Sequence, residues 1–438
     1  MTFDEAVKYL LSLGHETLAV KLGLASVARL LDAAGSPQHS FPAVQIAGTN
    51  GKGSTAPFLD SACRAAGLRT GLYTSPHLVS VTERIRIGGR EIARDEFARQ
   101  IERVREAAFR VRAADGALPS FFEQTTAAAL SSFRDARVEL VILETGLGGR
   151  LDAVTAAGAG TVAITSVALD HQEYLGATLR EIAAEKAAAI REGARAVVGP
   201  QDEEALEVIL ARCRECGVVP RRADDVARAA RVTGATEDGR IRVTFSTGAD
   251  VYENATLALR GRHQIANAAT AVALAEDLRE QGFSQITRAA VVAGLESAEH
   301  AGRLELFAGS PSVLLDGAHN PAGARALRGY LDEFARAPVT LIFGAMRDKE
   351  LTEIAAAIFP AAASLILTRA DNPRSAEPET LARVAARHLD AGRVLLAPTA
   401  AEALRLARKQ TPPGGLVCVT GSLYLVGEAK SLLASCET

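Results

Sequence analysis

Short apolar runs alternate along the chain with longer Ala-rich stretches of helical composition. The runs at 43–47, 70–74, 138–144, 161–167 and 194–198 read as strands, and the stretches 54–66, 178–190 and 203–212 read as helices. Such alternation predicts a mostly parallel sheet covered by helices. A second α/β series begins past residue 300. Its strands are expected at 312–315, 339–343, 364–368, 394–396 and 416–420, with helices such as 321–334 and 380–388 between them. Residues 221–260 are more polar and strand-rich, and are expected to form an antiparallel excursion of the first domain. The stretch 294–302 is the candidate linker. The expected division is therefore 1–297 and 298–438, each part with its own sheet.

The bulk numbers narrow this picture. A chain of 438 residues is too long for one ordinary core, and 48% apolar residues suffice to fill two. No apolar stretch is long enough to span a bilayer. The first residues, Met1-Thr2-Phe3-Asp4-Glu5-Ala6, lack the basic and apolar regions of a secretory signal. A formal charge of -3 argues against a nucleic-acid-binding surface but leaves room for a local basic cleft. Five widely spread cysteines fit a reduced, cytoplasmic protein. Cys213 and Cys216 have the CxxC spacing, yet no second pair or nearby His pair completes a zinc site. They read as a helix end closed by Gly217. No membrane or nucleic-acid partner is expected, and the chain is expected to be a monomer.

The first segment with chemistry is Ile46-Ala47-Gly48-Thr49-Asn50-Gly51-Lys52-Gly53-Ser54-Thr55. It follows an apolar strand and opens a helix. Its glycines let the backbone curl so that N–H groups face phosphate oxygens, and the helix N-terminus adds positive potential. Lys52 is placed to reach the outer phosphates, and Ser54 or Thr55 to face a metal. The regular phosphate loop has four residues between its glycines and Ser/Thr directly after Lys. Here Thr49 and Asn50 alone separate Gly48 from Gly51, and Gly53 follows Lys52. The plain alternative is a Gly-rich strand–turn–helix connection.

This variant loop resembles that of the Mur ligases and folylpolyglutamate synthases. Other segments agree with that family in content and order. They are Thr74-Ser75-Pro76-His77, the Gly-rich stretch from Glu144 to Asp152, Leu169-Asp170-His171, the stretch from Leu179 to Lys186, Gln264-Ile265-Ala266-Asn267, Gly302-Arg303-Leu304-Glu305, Asp316-Gly317-Ala318-His319-Asn320-Pro321 and Gly421-Ser422-Leu423-Tyr424. The resemblance implies an α/β protein with an N-terminal P-loop ATPase domain on a mostly parallel sheet and a C-terminal Rossmann-like glutamate-ligase domain. It implies the dihydrofolate synthase / folylpolyglutamate synthase reaction. ATP phosphorylates a pterin substrate's carboxylate, L-glutamate's amine attacks the acyl phosphate, and an amide, ADP and phosphate result. Whether dihydropteroate, reduced folates or both are glutamylated stays open.

The same resemblance implies the site residues. Thr49, Asn50, Gly51, Lys52, Gly53 and Ser54 would hold ATP, with Asn267, Arg303 and Asp316. Ser75 and Glu144 would hold one magnesium ion and His171 a second. Lys52, His171 and Lys186 form the catalytic set, with Lys186 carbamylated. Glu144 ends an apolar strand, where open α/β sheets bind ligands. An imidazole is an unusual magnesium ligand. Lys186 lies on a helix face that reads as buried, where an unpaired ammonium is costly. Burial favours the neutral amine that adds carbon dioxide. The alternative is an ion pair with Glu185 or Glu181. Val20, Lys21 and Leu22, then Phe122, Glu123, Gln124 and Thr125, then Leu151, Asp152 and Ala153, resemble the pterin site. Phe121 and Phe122 either stack on a pterin or fill the core. His319 and Ser422 follow strand ends and are assigned to the incoming glutamate. The chain departs from the family at Val154-Thr155, where Thr-Asn is common, and at His300-Ala301, where Trp-Pro is common.

Two other readings compete. A Mur ligase acting on a peptidoglycan precursor would usually carry a further domain before the phosphate loop, and the loop here begins at Gly48. A non-catalytic nucleotide switch would not need Lys52, Glu144, His171 and Lys186 together.

Overall fold

The computed structural model describes residues 1–14 and 23–435. The chain forms two compact units. The first comprises 1–231, 244–255 and 266–298, and the second 232–243, 256–265 and 299–438.

The sheet of the first unit contains β1 (Ala43–Ala47), β2 (Thr70–Tyr73), β3 (Ile85–Ile87), β4 (Arg90–Glu91), β5 (Leu140–Glu144), β6 (Thr161–Ile164), β7 (Arg195–Val198) and β8 (Arg221–Arg222). Their order is β4-β3-β2-β5-β1-β6-β7-β8. From β2 to β8 each neighbouring pair is parallel, while β3 and β4 extend one edge antiparallel. Every residue of β1 and β5 is buried, as expected of central strands covered on both faces. The chain leaves β1 on one side for β2 and later crosses to β6 on the other. That reversal opens a crevice at the carboxyl ends of β1, β5 and β6. One core gathers Phe97, Leu130 and Phe133 against Val141 and Leu143, and another sets Ile182 and Ile209 against Val162 and Ile164.

A three-stranded sheet follows, made by β9 (Arg231–Ala235), β10 (Ile241–Ser246) and β11 (Val251–Thr256) in the order β11-β10-β9. The second unit carries β12 (Glu305–Phe307), β13 (Ser312–Leu315), β14 (Val339–Phe343), β15 (Ser364–Leu367), β16 (Val394–Leu396) and β17 (Leu416–Thr420). Their order is β12-β13-β17-β14-β15-β16; only β12 pairs antiparallel. β17 enters between β13 and β14, so this sheet also has a reversal point at its carboxyl ends.

Apolar runs lie where the pattern puts them: β1, β13, β14, β16 and β17 match their expected bounds. The short strands β3, β4, β8 and β12, at or next to sheet edges, have two or three residues each, too few for any periodicity. The candidate linker is partly helix, because Arg288–Ser297 continues through Gly294. Gly294 is buried, and a Cβ there would stand 2.2 Å from the backbone nitrogen of Ala62. This glycine permits close contact with the helix Lys52–Ala65. Cys213 and Cys216 do close a helix, Glu203–Glu215, and Gly217 follows with φ +65°. No helix among the described residues is long and apolar enough to cross a membrane.

Gly294 supplies a test. Alanine in place of a helical glycine gains about 1 kcal/mol of propensity, but here the clash is with backbone. Gly294→Ala should lower stability by roughly 1–3 kcal/mol, seen as a reduced denaturation midpoint.

Candidate active site

Gly48, with φ +144°, and Gly51, with φ +90°, shape the turn after β1. Added Cβ atoms would stand 2.0 Å from Thr165 Oγ1 and 2.2 Å from Asn267 Oδ1 respectively. The loop is thus pressed between the end of β6 and the helix Gln264–Glu280. Asn267 meets it within the first unit, and Thr55 Oγ1 donates to Asn267 O at 3.4 Å. The amides of Thr49 and Asn50 donate to Ser166 O at 2.8 and 3.1 Å, and the Thr49 hydroxyl donates to Ala168 O at 3.0 Å. These two residues therefore pin the loop, and the helix start from Gly51 through Ser54 presents the anion-binding N-terminus. Lys52 Nζ donates to Gly48 O at 2.9 Å and Thr49 O at 3.1 Å, which holds the ammonium over the turn.

Glu144 ends β5, 5% exposed, and its Oε2 accepts from the Ser75 amide at 3.1 Å. The two residues assigned to one metal are therefore together. His171 has φ +51° and starts the short helix Gln172–Leu175. Its amide donates to Asp170 Oδ1 at 2.9 Å, and its Nε2 lies 3.9 Å from the same oxygen. Asp170 orients His171 and is itself buried. Sequence reasoning passed over Asp170; a carboxylate directly before a candidate ligand histidine was the available signal.

Lys186, in the helix Leu179–Ala187, is 4% exposed. Burial pushes its pKa down to about 7; the Lys52 charge acts the same way, and Asp170, Asp152 and Glu185 oppose it. The alternative ion pairs are not formed: Glu185 Oε1 accepts from Arg150 Nε at 3.0 Å, and Glu181 caps its own helix through Thr178. The Gly-rich turn docks on this helix. A Cβ at Gly149 would stand 2.8 Å from Lys186 O, and Arg150 N donates to Glu185 O at 3.0 Å. Asp152 organises that turn by accepting from Leu147 N at 2.8 Å and Val154 N at 2.9 Å. Burial raises its pKa to about 6 against these amides and the Lys52 charge. Thr155, where the family commonly has Asn, accepts from Gln45 Nε2 at 2.7 Å and donates to Gly149 O at 2.6 Å. The departure keeps the turn anchored.

The residues resembling a pterin site divide. Val20, Lys21 and Leu22 lie outside the described residues. Phe121 is core, 5% exposed. Phe122 is half-buried, tilted 6.1 Å from Tyr73, and its ring occupies the space a Cβ on Gly146 would need. Glu123 caps its helix through Ser120 N at 2.7 Å. Gln124 bonds Tyr9 and Pro119 O, and Thr125 bonds Tyr73 and Phe121 O. These three side chains hold the fold beneath Phe122. Leu151 is half-buried and Ala153 buried in the first unit's core.

In the second unit four assigned residues gather where β13 and β17 end. Arg303 Nη1 donates to Gly317 O at 3.3 Å, and His319 Nδ1 donates to the same carbonyl at 2.8 Å. Asp316 accepts from Leu304 N and Ala318 N, both at 3.0 Å. Burial raises its carboxyl pKa, against the Arg303 charge and those amides. Ser422 follows Gly421, whose amide donates to Ala318 O at 3.1 Å.

Comparison with known proteins bears on this arrangement. Residues 46–275 match the family model for the Mur ligase middle domain, and 302–423 that for the Mur ligase glutamate ligase domain. A dihydrofolate synthase/folylpolyglutamate synthase of Mycobacterium tuberculosis is 33% identical, over 97% of this chain and 93% of its own. The chain belongs to the dihydrofolate synthase/folylpolyglutamate synthase family of Mur ligases. A probable bifunctional folylpolyglutamate synthase/dihydropteroate synthase of Haloferax volcanii is 38% identical over 98% of the chain, which spans about half (50%) of that relative's length. A Halobacterium salinarum relative described in the same words is matched over 52% of its length. Among solved structures, Mycobacterium tuberculosis folylpolyglutamate synthase complexed with ADP superposes with a TM-score of 0.89 at 32% identity, covering 98% of each chain. E. coli FolC in complex with DHPP and ADP superposes at 0.88 and 29%, covering 100% of this chain and 99% of that one.

The lowered basicity of Lys186 gives a pH-dependent test. Between about pH 7 and the ordinary lysine range near 10.5, the unfolded chain binds more protons there than the native one, so stability rises with pH across that window. Lys186→Met in carbon dioxide-free buffer should therefore stabilise the fold most at pH 6, with the gain fading towards pH 10. Paired thermal melts at the two values check this.

Proposed function

We propose that the chain is an ATP-dependent carbon–nitrogen ligase that joins L-glutamate to dihydropteroate, to (poly)glutamylated tetrahydrofolate, or to both, through an acyl phosphate. The observation that carries this reading is the meeting, beyond the carboxyl ends of β1, β5 and β6, of the Lys52 loop, the Glu144–Ser75 pair and a buried, weakly basic Lys186. Phosphoryl transfer to a carboxylate brings two anions together, so positioning and charge neutralisation are the main requirements. The Gly51–Ser54 helix start and Lys52 bind the β- and γ-phosphates. Asn267, Arg303 and Asp316 serve the nucleotide, Phe122 and the turn at Leu151–Ala153 the pterin, and His319 and Ser422 the incoming glutamate. We assign 1–297 to ATP and pterin and 298–438 to glutamate ligation, in a monomeric cytoplasmic enzyme.

The donor set suits magnesium. Among the described residues no three His, Cys, Asp or Glu side chains form a metal cage, and magnesium is commonly held by one or two carboxylates together with substrate phosphates and water. Glu144 and the Ser75 hydroxyl would hold one ion, and His171 with a carbamate on Lys186 a second. Magnesium bound there supplies charge neutralisation for the phosphate and carboxylate oxygens. Asp170 holds His171 in orientation. The neutral Lys186 amine, favoured above about pH 7, would form its N–C bond to carbon dioxide and release a proton to solvent, leaving a carbamate anion that the nearby Lys52 charge stabilises.

The deciding assay is ADP release with glutamate and each pterin supplied or withheld. Release should require both, and release indifferent to either would overturn the ligase reading. Lys52→Ala should lower turnover about 100-fold or more, as for loss of a preorganised charge donor, while leaving the melting curve near wild type. Lys186→Ala should be nearly inactive and partly restored by short carboxylic acids.

A further inference from the structure

β7 ends at Val198, and the chain turns away through Gly199 and Pro200 towards the helix Glu203–Glu215. Gly199 N makes a last backbone bond, to Ile164 O at 2.9 Å. Pro200 has no N–H with which to continue the ladder. The chain after β6 nevertheless runs on through 165–168, where Thr165 and Val167 are each 2% exposed. Buried peptide groups in that segment need partners that the backbone of β7 does not supply.

Gln201 supplies them with its side chain. Its Oε1 accepts from Val167 N at 3.0 Å, and its Nε2 donates to Thr165 O at 2.7 Å and to Ile164 O at 3.3 Å. A carbonyl and an amide two residues further on are what a peptide group of a neighbouring parallel strand would meet. The carboxamide thus stands in for the strand residue that the turn at Pro200 removes.

The same segment holds the phosphate loop. Ser166 O accepts from Thr49 N and Asn50 N at 2.8 and 3.1 Å. Ala168 N donates to the Thr49 hydroxyl at 3.1 Å, and that hydroxyl donates to Ala168 O at 3.0 Å. Lys52 Nζ is bonded in turn to the carbonyls of Gly48 and Thr49. Gln201 therefore bonds residues 165 and 167, and the loop bonds residues 166 and 168. Little slack separates them, since a Cβ on Gly48 would stand 2.0 Å from Thr165 Oγ1. Close-packed groups pass a displacement on to their neighbours.

We propose that Gln201 is a positioning residue for the nucleotide: by completing the hydrogen bonds of 165–168 it fixes the phosphate loop, and with it the aim of Lys52 and of the N–H groups that meet the phosphates. The proposal rests on the assignment of that loop to ATP made above. Gln201 acts through Thr49 and Lys52, and serves the phosphates rather than the pterin.

The test compares the wild type with Gln201→Leu, which removes both the donor and the acceptor, and with Gln201→Glu, which keeps the shape and the acceptor but loses the donor. Calorimetry with ADP and magnesium should show affinity weakened roughly 10-fold in Gln201→Leu, the size expected for the loss of two ordinary hydrogen bonds. Gln201→Glu should move in the same direction. The ATP KM should rise alongside, while the pterin and glutamate KM values stay at wild type, a split that general loosening of the fold would not give. Hydrogen exchange followed by mass spectrometry supplies the second reading. ADP should slow exchange in both 48–54 and 165–168 of the wild type, and in Gln201→Leu the two segments should exchange faster before ADP is added. Normal ADP affinity in both variants overturns the proposal, as does an equal rise in the pterin KM. Variants that do not fold assign Gln201 to the fold alone and overturn it too. If the wild type binds ADP but ligates no pterin, the ligase reading fails, and the ADP affinities and exchange rates still decide the role of Gln201.

Discussion

A buried ammonium is the constraint on which the first unit's site depends. Lys186 sits in a helix whose surroundings exclude water, with a second cation, Lys52, acting on it and with Asp152 and Asp170 as compensating charges. In such a place an amine gives up its proton readily, and an added anion is welcomed by the remaining positive charge. The same cluster explains the shape around it. Gly149 has no side chain because the helix backbone of Lys186 occupies that space, and Asp152 is bonded to the turn that makes this approach possible.

Most polar side chains near the site hold other groups in place. The Thr49 hydroxyl fastens the phosphate loop to Ala168, Asp170 holds the His171 amide, and Gln45 with Thr155 anchors the Gly-rich turn. This is the economy expected of a site for phosphoryl transfer, where little bond-making is done by the protein and much depends on fixed dipoles and charges. The second unit repeats the logic. Leu304 takes φ +46°, an unusual value for a bulky residue, and its amide is held by Asp316, beside the Gly317 carbonyl that binds both Arg303 and His319.

Much of this was legible in the chain. Central strands buried on both faces must be continuous apolar runs, so β1, β13, β14 and β17 could be read residue by residue. The phosphate loop was legible because glycines at 48 and 51 answer a local demand of the backbone. The short strands β3, β4, β8 and β12 were not, since two or three residues carry no period and exist through the neighbour they pair with. Gly294 was misread as linker for a related reason: a glycine that breaks a helix and one that lets two helices touch look alike in sequence.

By itself, then, the sequence determined the alternation of strands and helices, the Gly-rich turns and the kinds of reactive group available, because these follow from local backbone freedom and hydrophobic period. Only the tertiary structure decided which of those groups are occupied. Glu123 and Gln124 bond the turn before their own helix, Thr125 bonds the Tyr73 hydroxyl, Glu185 is bonded to Arg150 instead of Lys186, and Arg84 donates to His77. Hydrogen-bond partners and desolvation arise from residues far apart in the chain, and they determine whether a side chain of the right type is a reactive group or a structural one.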